Sequence, residues 1–197
     1  NDRADAGVRT IVGEFDDPRI RYVEGPGPLE VVDNWNQTLS LARGEFFVLF
    51  SDDDRYHPDF LGEMLRLASG YPGCNLFRSR VNRIGPSGQL LGTTAVCPEH
   101  EPLAEFLLHR VKGQREQFAP EFMSRTEALR AAGGFAMLPL AWGSDDITWF
   151  RIALSGGVAS SSRALTDWRE SPLQISRSGD ATLRLEAVDR YISMLRE

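Results

Sequence analysis

The sequence predicts an α/β fold in which a mixed, mostly parallel sheet is flanked by helices. Strand-like apolar segments alternate along the chain with segments whose apolar residues recur at helical spacing. The continuously apolar stretch FFVLF at 46–50 indicates a central parallel strand that is buried on both faces. With 197 residues, 42% of them hydrophobic, the chain is long enough for one globular domain with a sizeable core.

The first third of the chain predicts strands and helices in alternation. Two short strands are expected at VRTIV (8–12) and IRYVEG (20–25), around a turn at 16–18. A helix is expected at 29–43, with Gly44 just after its end. Its apolar stripe consists of Val32, Trp35, Leu39 and Ala42. After the FFVLF strand, Pro58 suits the first turn of a further helix. The buried stripe of that helix is expected to consist of Phe60, Leu61, Met64, Leu65 and Ala68.

The remaining elements follow from turn residues and periodicity. Two strand-like stretches between 75 and 96 flank GPSGQ and predict a β-hairpin. The further predicted elements are a helix at about 101–111, a strand near APEFMSR, a helix at 126–132 closed by Gly133-Gly134, a helix at 145–155 closed by Gly156-Gly157, and a strand at VASSSRAL. The stretch from 181 to 196 predicts an amphipathic helix whose inner positions are Leu183, Val188, Ile192 and Leu195.

Charge and composition exclude several functional classes. The formal net charge of −6 argues against binding to nucleic acid through phosphate neutralisation. No apolar run approaches the roughly 20 residues of a membrane-spanning helix. The two cysteines, Cys74 and Cys97, have no metal-ligand spacing, and the three histidines are scattered, so a zinc site is not expected.

Three consecutive acids, Asp52, Asp53 and Asp54, follow the FFVLF strand. Adjacent carboxylates repel one another unless a cation or solvent relieves the repulsion. One interpretation is an acidic helix start, because carboxylates favour helix N-termini. The other is a ligand site, because open α/β sheets bind ligands at the carboxyl ends of their strands. Carboxylate oxygens suit Mg²⁺ or Mn²⁺ that is also held by substrate phosphates.

Other enzymes with acids at a strand end fit the sequence less well. Haloacid-type phosphatases and response regulators also need a lysine from a later strand. The sole lysine, Lys112, lies in the polar stretch RVKGQRE, which does not predict a strand end. A phosphate-binding loop is absent too, because the sequence contains no Gly-Lys-Ser/Thr.

Four segments, taken in order, resemble the family 2 glycosyltransferases. They are ND at 1–2, NWNQTLSLARGEFFVLFSDDDRYHPDFL at 34–61, FMSRTEALRAAGGF at 122–135 and WGSDDITWFRIALSGG at 142–157. The resemblance covers about residues 1–165. It implies the Rossmann-like GT-A fold and an inverting enzyme that uses a nucleotide-diphospho-sugar.

The resemblance also implies roles for the acids. Asp2 would contact the base or ribose of the nucleotide, and Asp52 would lie near the ribose. Asp53 would be the main ligand of a Mn²⁺ or Mg²⁺ ion, supported by Asp54. Asp145 would be the general base on the acceptor hydroxyl, with Asp146 as the alternative. The alternative interpretation of GSDD at 143–146 is a helix N-cap followed by acids in the first turn.

Further substrate contacts are implied at five positions. Asn34 and Asn36 stand where the family has residues near the donor, although exposed helix positions would explain them equally well. Gly134 would let the backbone turn tightly beside the sugars. Trp142 would stack on an acceptor sugar or act as a core or lid residue. Arg151 would pair with the acids at the start of its helix.

Three departures from the family pattern are visible. Ser51 stands at the first acid of the usual D-x-D motif, and Ser144 replaces the glutamate of the Glu-Asp pair. The family's first strand and helix have no counterpart in this sequence, which predicts that the natural protein is longer. These departures keep open a non-catalytic domain that binds a nucleotide or glycan. A sugar-nucleotide pyrophosphorylase would need a Gly-rich loop with basic residues near a first strand, and none is present.

The predicted organisation is one glycosyltransferase domain over 1–197. Its nucleotide-sugar half comprises about residues 1–60, its acceptor half about 75–165, and a helical tail about 180–197. The implied partners are a nucleotide-diphospho-sugar donor and a glycan or lipid-linked glycan acceptor. The implied location is the cytoplasm, with peripheral association at the inner face of the membrane left open.

Overall fold

The computed structural model describes residues 6–25, 27–170 and 181–196. The helices are α1 (Ala6–Gly13), α2 (Val31–Leu41), α3 (Phe60–Gly70), α4 (Leu103–Val111), α5 (Thr126–Ala131), α6 (Ser144–Ala153) and α7 (Ala181–Met194). The strands are β1 (Phe46–Val48), β2 (Arg55–Tyr56), β3 (Leu76–Ile84), β4 (Leu90–Thr93), β5 (His100–Glu101), β6 (Phe122–Arg125) and β7 (Val158–Arg169). Short 3₁₀ turns at Ala119–Glu121 and Pro139–Ala141 precede β6 and α6.

The strands form one mixed sheet in the order β1-β6-β3-β7-β2, with β4 paired to β3 and β5 paired to β7. Strands β3 and β7 run parallel along most of their length. The other strand pairs described in the sheet are antiparallel. The long β3–β7 pair is therefore the centre from which the flanking strands extend.

Alternating side chains of the central strands fill two separate cores, because successive residues of a strand point to opposite faces. Leu76, Phe122 and Val158 face a core that also receives side chains of α2, α4, α5 and α6. The next residues along the same strands, Phe77, Met123 and Ala159, face a second core built on α3. The sheet is thus covered by helices on both faces, as expected of an α/β protein.

Most predicted elements are present within a few residues of their expected bounds. These are α2 to α6, the β3–β4 hairpin, β6, β7 and α7. Val32 and Leu39 are buried on α2, as the stripe predicts, and Trp35 and Ala42 pack against the same core. No helix that the structure describes is both long and apolar enough to cross a bilayer.

Two strand predictions are wrong. Residues 8–12 lie in helix α1, and 20–25 form no strand. The β-branched residues of VRTIV favour a strand, but Val8 and Val12 are the half-buried residues of the segment, and their spacing of four puts them on one helix face. The β propensity of these residues therefore does not decide between strand and helix.

The sheet contains less parallel pairing than predicted. FFVLF does not form a central parallel strand, because β1 ends the strand order and pairs antiparallel with β6 within the described chain. Phe50 is exposed, and Phe46 and Val48 are only half-buried. A continuous apolar run cannot distinguish a central strand from an end strand that is covered by helices.

Two helix stripes also differ from the prediction in detail. On α3, Leu61 and Leu65 are exposed, whereas Leu67 is fully buried. On α7, Leu183 and Ile192 are exposed, and the buried residue is Ala187. On α3 the predicted Phe60, Met64 and Ala68 are buried, so its inner face is narrower than predicted and includes Leu67, whereas on α7 the inner face is shifted by about one position.

Candidate active site

An open cleft of about 910 Å³ brings together two acidic segments that lie far apart in the sequence. One is the turn after β1, which contributes Ser51 and Asp52–Asp54. The other is the start of α6, which contributes Asp145 and Asp146. The predicted metal acids and the predicted catalytic acids therefore face one cavity.

Helix α6 begins in a tightly constrained loop. Gly143 has a φ of 76°, and a Cβ atom there would lie 2.6 Å from the ring of Tyr191 on α7. Both the backbone conformation and the close approach of the ring require glycine. The preceding residues Leu140 and Ala141 also have positive φ values of 58° and 54°, which is costly for residues that carry a side chain. This strained loop forms part of the cleft wall.

Asp146 is buried and bound by an arginine from α4. The Nε atom of Arg110 lies 3.0 Å from Oδ1 and 2.9 Å from Oδ2 of Asp146. The Nη2 atom of Arg110 lies 2.8 Å from Oδ2. Tyr191 on α7 also lies near this carboxylate and helps to lower its pKa. Asp146 is thus held in place by Arg110, and it is only 3% exposed.

Asp145 has a different environment. It lines the cleft and is only partly buried. Burial, followed by the negative charge of Asp146, raises the pKa of Asp145 to about 7. Burial also raises the pKa of Asp146, but its bonds to Arg110 oppose that rise. The charged form of Asp146 is therefore stabilised by a direct ion pair that Asp145 lacks.

A third buried carboxyl group, Glu121, lies close to this pair. It is 2% exposed, and its Oε1 atom is 3.9 Å from Nη1 of Arg78. Burial raises the pKa of Glu121 to about 8, and the charges of Asp145 and Asp146 contribute to the rise. The better-placed partner of Arg78 is Glu101, at 2.9 Å. Arg78 therefore compensates Glu121 only weakly.

The three consecutive acids differ in exposure. Asp52 and Asp53 are exposed at the cleft, whereas Asp54 is 7% exposed. An oxygen of Asp54 accepts a hydrogen bond of 2.8 Å from the backbone N–H of Arg169 at the end of β7. The guanidinium of Arg169 donates to the carbonyl oxygen of Asp53. The hydrogen bond to Asp54 therefore holds the turn against β7. Asp52 and Asp53 remain exposed and can contact a ligand.

The carboxylates of this turn do not form a metal cage by themselves. Within residues 6–25, 27–170 and 181–196, no group of three or more His, Cys, Asp or Glu side chains is arranged to hold a metal ion. Two exposed carboxylates remain at the cleft, which is the number that Mg²⁺ commonly takes from a protein when substrate phosphates complete its shell. The donor set fits an ion that is bound together with a phosphate-bearing substrate.

Asn36 and Gly134 lie against each other outside the cleft lining. The side-chain amide of Asn36 donates to the carbonyl of Phe135 at 3.1 Å and accepts from its N–H at 2.8 Å. Gly134 is buried with a φ of 78°, and a Cβ there would lie 2.4 Å from Oδ1 of Asn36. This contact joins α2 to the turn after α5, which is a structural arrangement.

The other predicted contact residues are distributed unevenly. Trp142 lines the cleft, is 39% exposed, and lies edge-on to the ring of Tyr191 at 5.7 Å. Asn34 on α2 and Arg151 on α6 do not line the cleft. Asp2 lies outside the described residues.

Several cleft residues were not predicted from the sequence. They are Arg110, Gln117, Trp168, Arg169 and Tyr191. An arginine partner for Asp145 and Asp146 could have been expected from their charge. The sequence contains many arginines, however, and does not indicate which of them pairs with these acids. Tyr191 comes from α7, a segment in which no functional motif is visible.

Comparison with known proteins gives a consistent family. A family model described as glycosyl transferase family 2 matches residues 1–124. A comparison with curated protein sequences gave no significant match.

Solved structures share the fold at low sequence identity. TarS 1–349 of S. aureus, in complex with UDP-GlcNAc, superposes with a TM-score of 0.69 at 13% identity, covering 98% of this chain and 53% of that one. Glucosyl-3-phosphoglycerate synthase from Mycobacterium tuberculosis, in complex with phosphoglyceric acid, gives a TM-score of 0.51 at 18% identity, covering 96% and 62%. The chain thus spans about half the length of the first of these structures.

Proposed function

The chain belongs to glycosyl transferase family 2, and on that premise we propose that it transfers a sugar from a nucleotide-diphospho-sugar to an acceptor hydroxyl with inversion at the anomeric carbon. The observation that carries this proposal is the single cleft shared by Asp52 and Asp53 on one side and Asp145 on the other. An inverting transfer needs a base on one side of the sugar and charge stabilisation of the diphosphate on the other. The two acidic groups supply sites for both tasks.

Asp145 is the proposed general base. It takes the proton of the acceptor hydroxyl while the hydroxyl oxygen bonds to the anomeric carbon and the bond to the diphosphate breaks. A base works best when its pKa is close to the working pH, and burial with the charge of Asp146 raises the pKa of Asp145 to about 7. Asp146 is the proposed positioning residue, because Arg110 holds it in place.

Asp53, with Asp52 beside it, would hold a Mn²⁺ or Mg²⁺ ion in the presence of the substrate. When bound, such an ion neutralises the charge that develops on the departing diphosphate. Asp54 contributes by fixing the turn through its bond to Arg169 rather than as a ligand. Family membership and the two exposed carboxylates support this assignment.

The donor, acceptor and location are proposed on the family relation. A uridine-diphosphate sugar is the first donor to test, because the complex of TarS with UDP-GlcNAc shares the fold. The proposed acceptor is a glycan or lipid-linked glycan, reached from the cytoplasmic side of the membrane. Trp142 is exposed at the cleft and would stack on the apolar face of the acceptor sugar.

Nucleotide binding and turnover test the proposal together. Thermal shifts are measured with UDP, GDP and CDP, with and without Mn²⁺, and slow hydrolysis of the corresponding sugar nucleotides is followed in parallel. We expect one diphosphate to raise the melting temperature only with metal, because ligand binding stabilises the folded state. Asp53→Ala removes that shift, and Asp33→Ala, an exposed position on α2, is the matched control.

The outcomes separate the two interpretations of the family resemblance. Metal-dependent binding with hydrolysis supports a transferase. Binding without hydrolysis or transfer would assign the chain to the non-catalytic alternative. Equal shifts for the wild type and Asp53→Ala would remove Asp53 from the site.

A further inference from the structure

Gln117 is a buried side chain whose polar atoms have no partner. It is 8% exposed, and neither its Nε2 nor its Oε1 atom has a hydrogen-bond partner among the residues that the structure describes. Gln117 also lines the cleft that contains both acidic groups. Buried carboxamides are nearly always hydrogen-bonded, because an unpaired one loses its contacts with water and gains none in return. An unpaired carboxamide at a substrate cleft indicates a partner that arrives with the substrate.

The segment that contains Gln117 spans the distance between the two acidic groups. Next to it, the ring of Phe118 packs against Trp168 at 4.2 Å, and the following residue of β7, Arg169, binds Asp54. The hydroxyl of Tyr56, on β2 just after the acidic turn, donates to the carbonyl of Pro120 at 2.6 Å.

At its other end, the segment reaches the catalytic pair. Glu121 lies near enough to Asp145 and Asp146 for their charges to raise its pKa. Gln117 therefore belongs to the wall between the proposed diphosphate side and the proposed base, where the transferred sugar must lie.

We propose that Gln117 recognises two adjacent hydroxyl groups of the transferred sugar. The Nε2 group donates to one hydroxyl oxygen, and Oε1 accepts from the neighbouring hydroxyl. A carboxamide presents one donor and one acceptor side by side, and a pair of neighbouring sugar hydroxyls presents the complementary set. This inference rests on the proposed function, and it makes Gln117 a specificity-determining residue for the donor.

The amide atoms of Gln117 are shielded from water, so the proposed contact requires the carboxamide to turn toward the cleft as the sugar enters. The terminal torsion of a glutamine is soft, so this rotation is easily accessible. A site built to pair with hydroxyl groups rejects analogues that lack them, since its own polar atoms then stay unpaired. We therefore expect discrimination between epimers that differ at one hydroxyl.

The test compares wild type, Gln117→Met and Gln114→Met. Methionine has a similar length and flexibility but no hydrogen-bonding amide. Gln114 is the matched control, since it is exposed on the same loop and does not line the cleft. Dissociation constants are measured with Mn²⁺ for UDP, UDP-glucose, UDP-galactose, UDP-N-acetylglucosamine, GDP and GDP-mannose. Melting temperatures are measured without ligand.

In the wild type, we expect the best sugar nucleotide to bind more tightly than its diphosphate alone. In Gln117→Met, this extra affinity falls about 10-fold or more. The variant no longer distinguishes sugar nucleotides whose sugars are epimers. Its affinity for the diphosphate alone is unchanged. Without ligand, Gln117→Met melts no lower than the wild type, because an unpaired polar group has been replaced by an apolar one. Gln114→Met keeps the wild-type affinities.

Four results would overturn the inference. If Gln117→Met keeps the full extra affinity for the sugar, or if the sugar adds no affinity in the wild type, Gln117 does not recognise it and the proposed function is unaffected. If unliganded Gln117→Met melts several degrees lower, the amide already has a partner in the folded protein. If no diphosphate or sugar nucleotide binds the wild type, the proposed function fails and this inference fails with it.

Discussion

Arg110 binds both carboxylate oxygens of Asp146, with its Nε atom 3.0 and 2.9 Å from them. This contact gives two adjacent aspartates different properties. Both line the cleft, but Asp146 is buried and charge-paired with Arg110, whereas Asp145 is only half-buried and its pKa is raised to about 7. The sequence left open which of the two is the base, and this geometry favours Asp145.

Asp145→Asn is expected to lower kcat by about 10²- to 10⁴-fold, which is the usual contribution of a general base. The dissociation constant of the sugar nucleotide should stay near the wild-type value, because the base acts on the acceptor. Single-turnover transfer and equilibrium binding measure the two effects. Asp33→Asn, an exposed position on α2, is the control. A variant that retains transfer at the wild-type rate would exclude Asp145 as the base.

Asp146→Asn should act mainly on stability. It leaves the half-buried guanidinium of Arg110 without its carboxylate, and we expect a loss of about 1–3 kcal/mol in the free energy of unfolding. Urea denaturation measures this change. If Asp146→Asn folds with unchanged stability but loses all transfer, the roles of the two acids are the reverse of those assigned.

The rate of transfer should rise with pH through about 7, because Asp145 must be ionised to accept a proton and its pKa is raised to about 7. Arg110 lowers the pKa of Asp145, so Arg110→Gln should move the midpoint to higher pH. The profile of kcat/KM against pH measures both effects. Arg130→Gln, which is exposed on α5, should leave the midpoint unchanged. A profile that is flat between pH 6 and 8 would contradict the assignment.

The sequence was sufficient for the helices and strands whose ends carry a local signal. Gly133-Gly134 and Gly156-Gly157 mark the ends of α5 and α6, and GPSGQ marks the β3–β4 turn. It was not sufficient for the direction and neighbours of β1, because strand pairing is set by contacts between distant segments. The β-branched residues at 8–12 favour a strand, yet they lie in α1, because β propensity alone is a weak guide to the element.

The sequence was sufficient to predict the acidic residues of the site, but it did not predict the residues that surround them. Runs such as DDD and SDD are visible in a sequence, and both lie at the cleft. Arg110 and Tyr191 are separated from Asp146 by 36 and 45 positions, and no pattern in the sequence links them. Asn36 was predicted to contact the donor, but its amide is engaged with the backbone of Phe135.

Glu121→Gln tests the buried carboxyl group of Glu121, which is 2% exposed. Its pKa is raised from 4.5 to about 8 in the folded protein, so the folded state binds more protons than the unfolded state between these values. Glu121 therefore makes its full contribution to the free energy of unfolding below about pH 4.5. That contribution is lost as the pH rises through about 8. Glu121→Gln, which stays neutral, should match the wild type near pH 5 and exceed it by a few kcal/mol at most near pH 9. Denaturation across this range measures the difference.

Glu105→Gln is the control for that series, because Glu105 is exposed on α4. Its stability should follow the wild-type curve at every pH. A wild-type stability that increases steadily from pH 5 to 9 would contradict the raised pKa of Glu121.

Asp54→Ala and Asp53→Ala should separate the structural and ligand roles within the acidic turn. Asp54 is buried and accepts from the N–H of Arg169, so its removal should cost about 1–3 kcal/mol. Asp53 is exposed, and its removal should change stability by less than about 0.5 kcal/mol. Denaturation without ligand measures both values. Equal losses for the two variants would contradict this division of roles.

Gly134→Ala tests whether this glycine serves the fold or the substrate. Its φ of 78° is unfavourable for alanine, and the new Cβ would lie 2.4 Å from Oδ1 of Asn36. We expect a loss of about 2 kcal/mol or more in the free energy of unfolding, measured by urea denaturation. Gly62→Ala is the control, because that helical glycine has open space around it and alanine should stabilise the helix by up to about 1 kcal/mol.

A double-mutant cycle with Asn36→Ala separates the two causes of the stability loss in Gly134→Ala, which are backbone strain and the close contact with Oδ1 of Asn36. Asn36→Ala alone removes the partner of the Phe135 N–H and should destabilise the protein. In the double variant the collision with Oδ1 is absent, so Gly134→Ala should cost less than in the wild type, and the remainder is backbone strain. If Gly134→Ala keeps wild-type stability but weakens sugar-nucleotide binding, Gly134 serves the substrate, as the family resemblance implied.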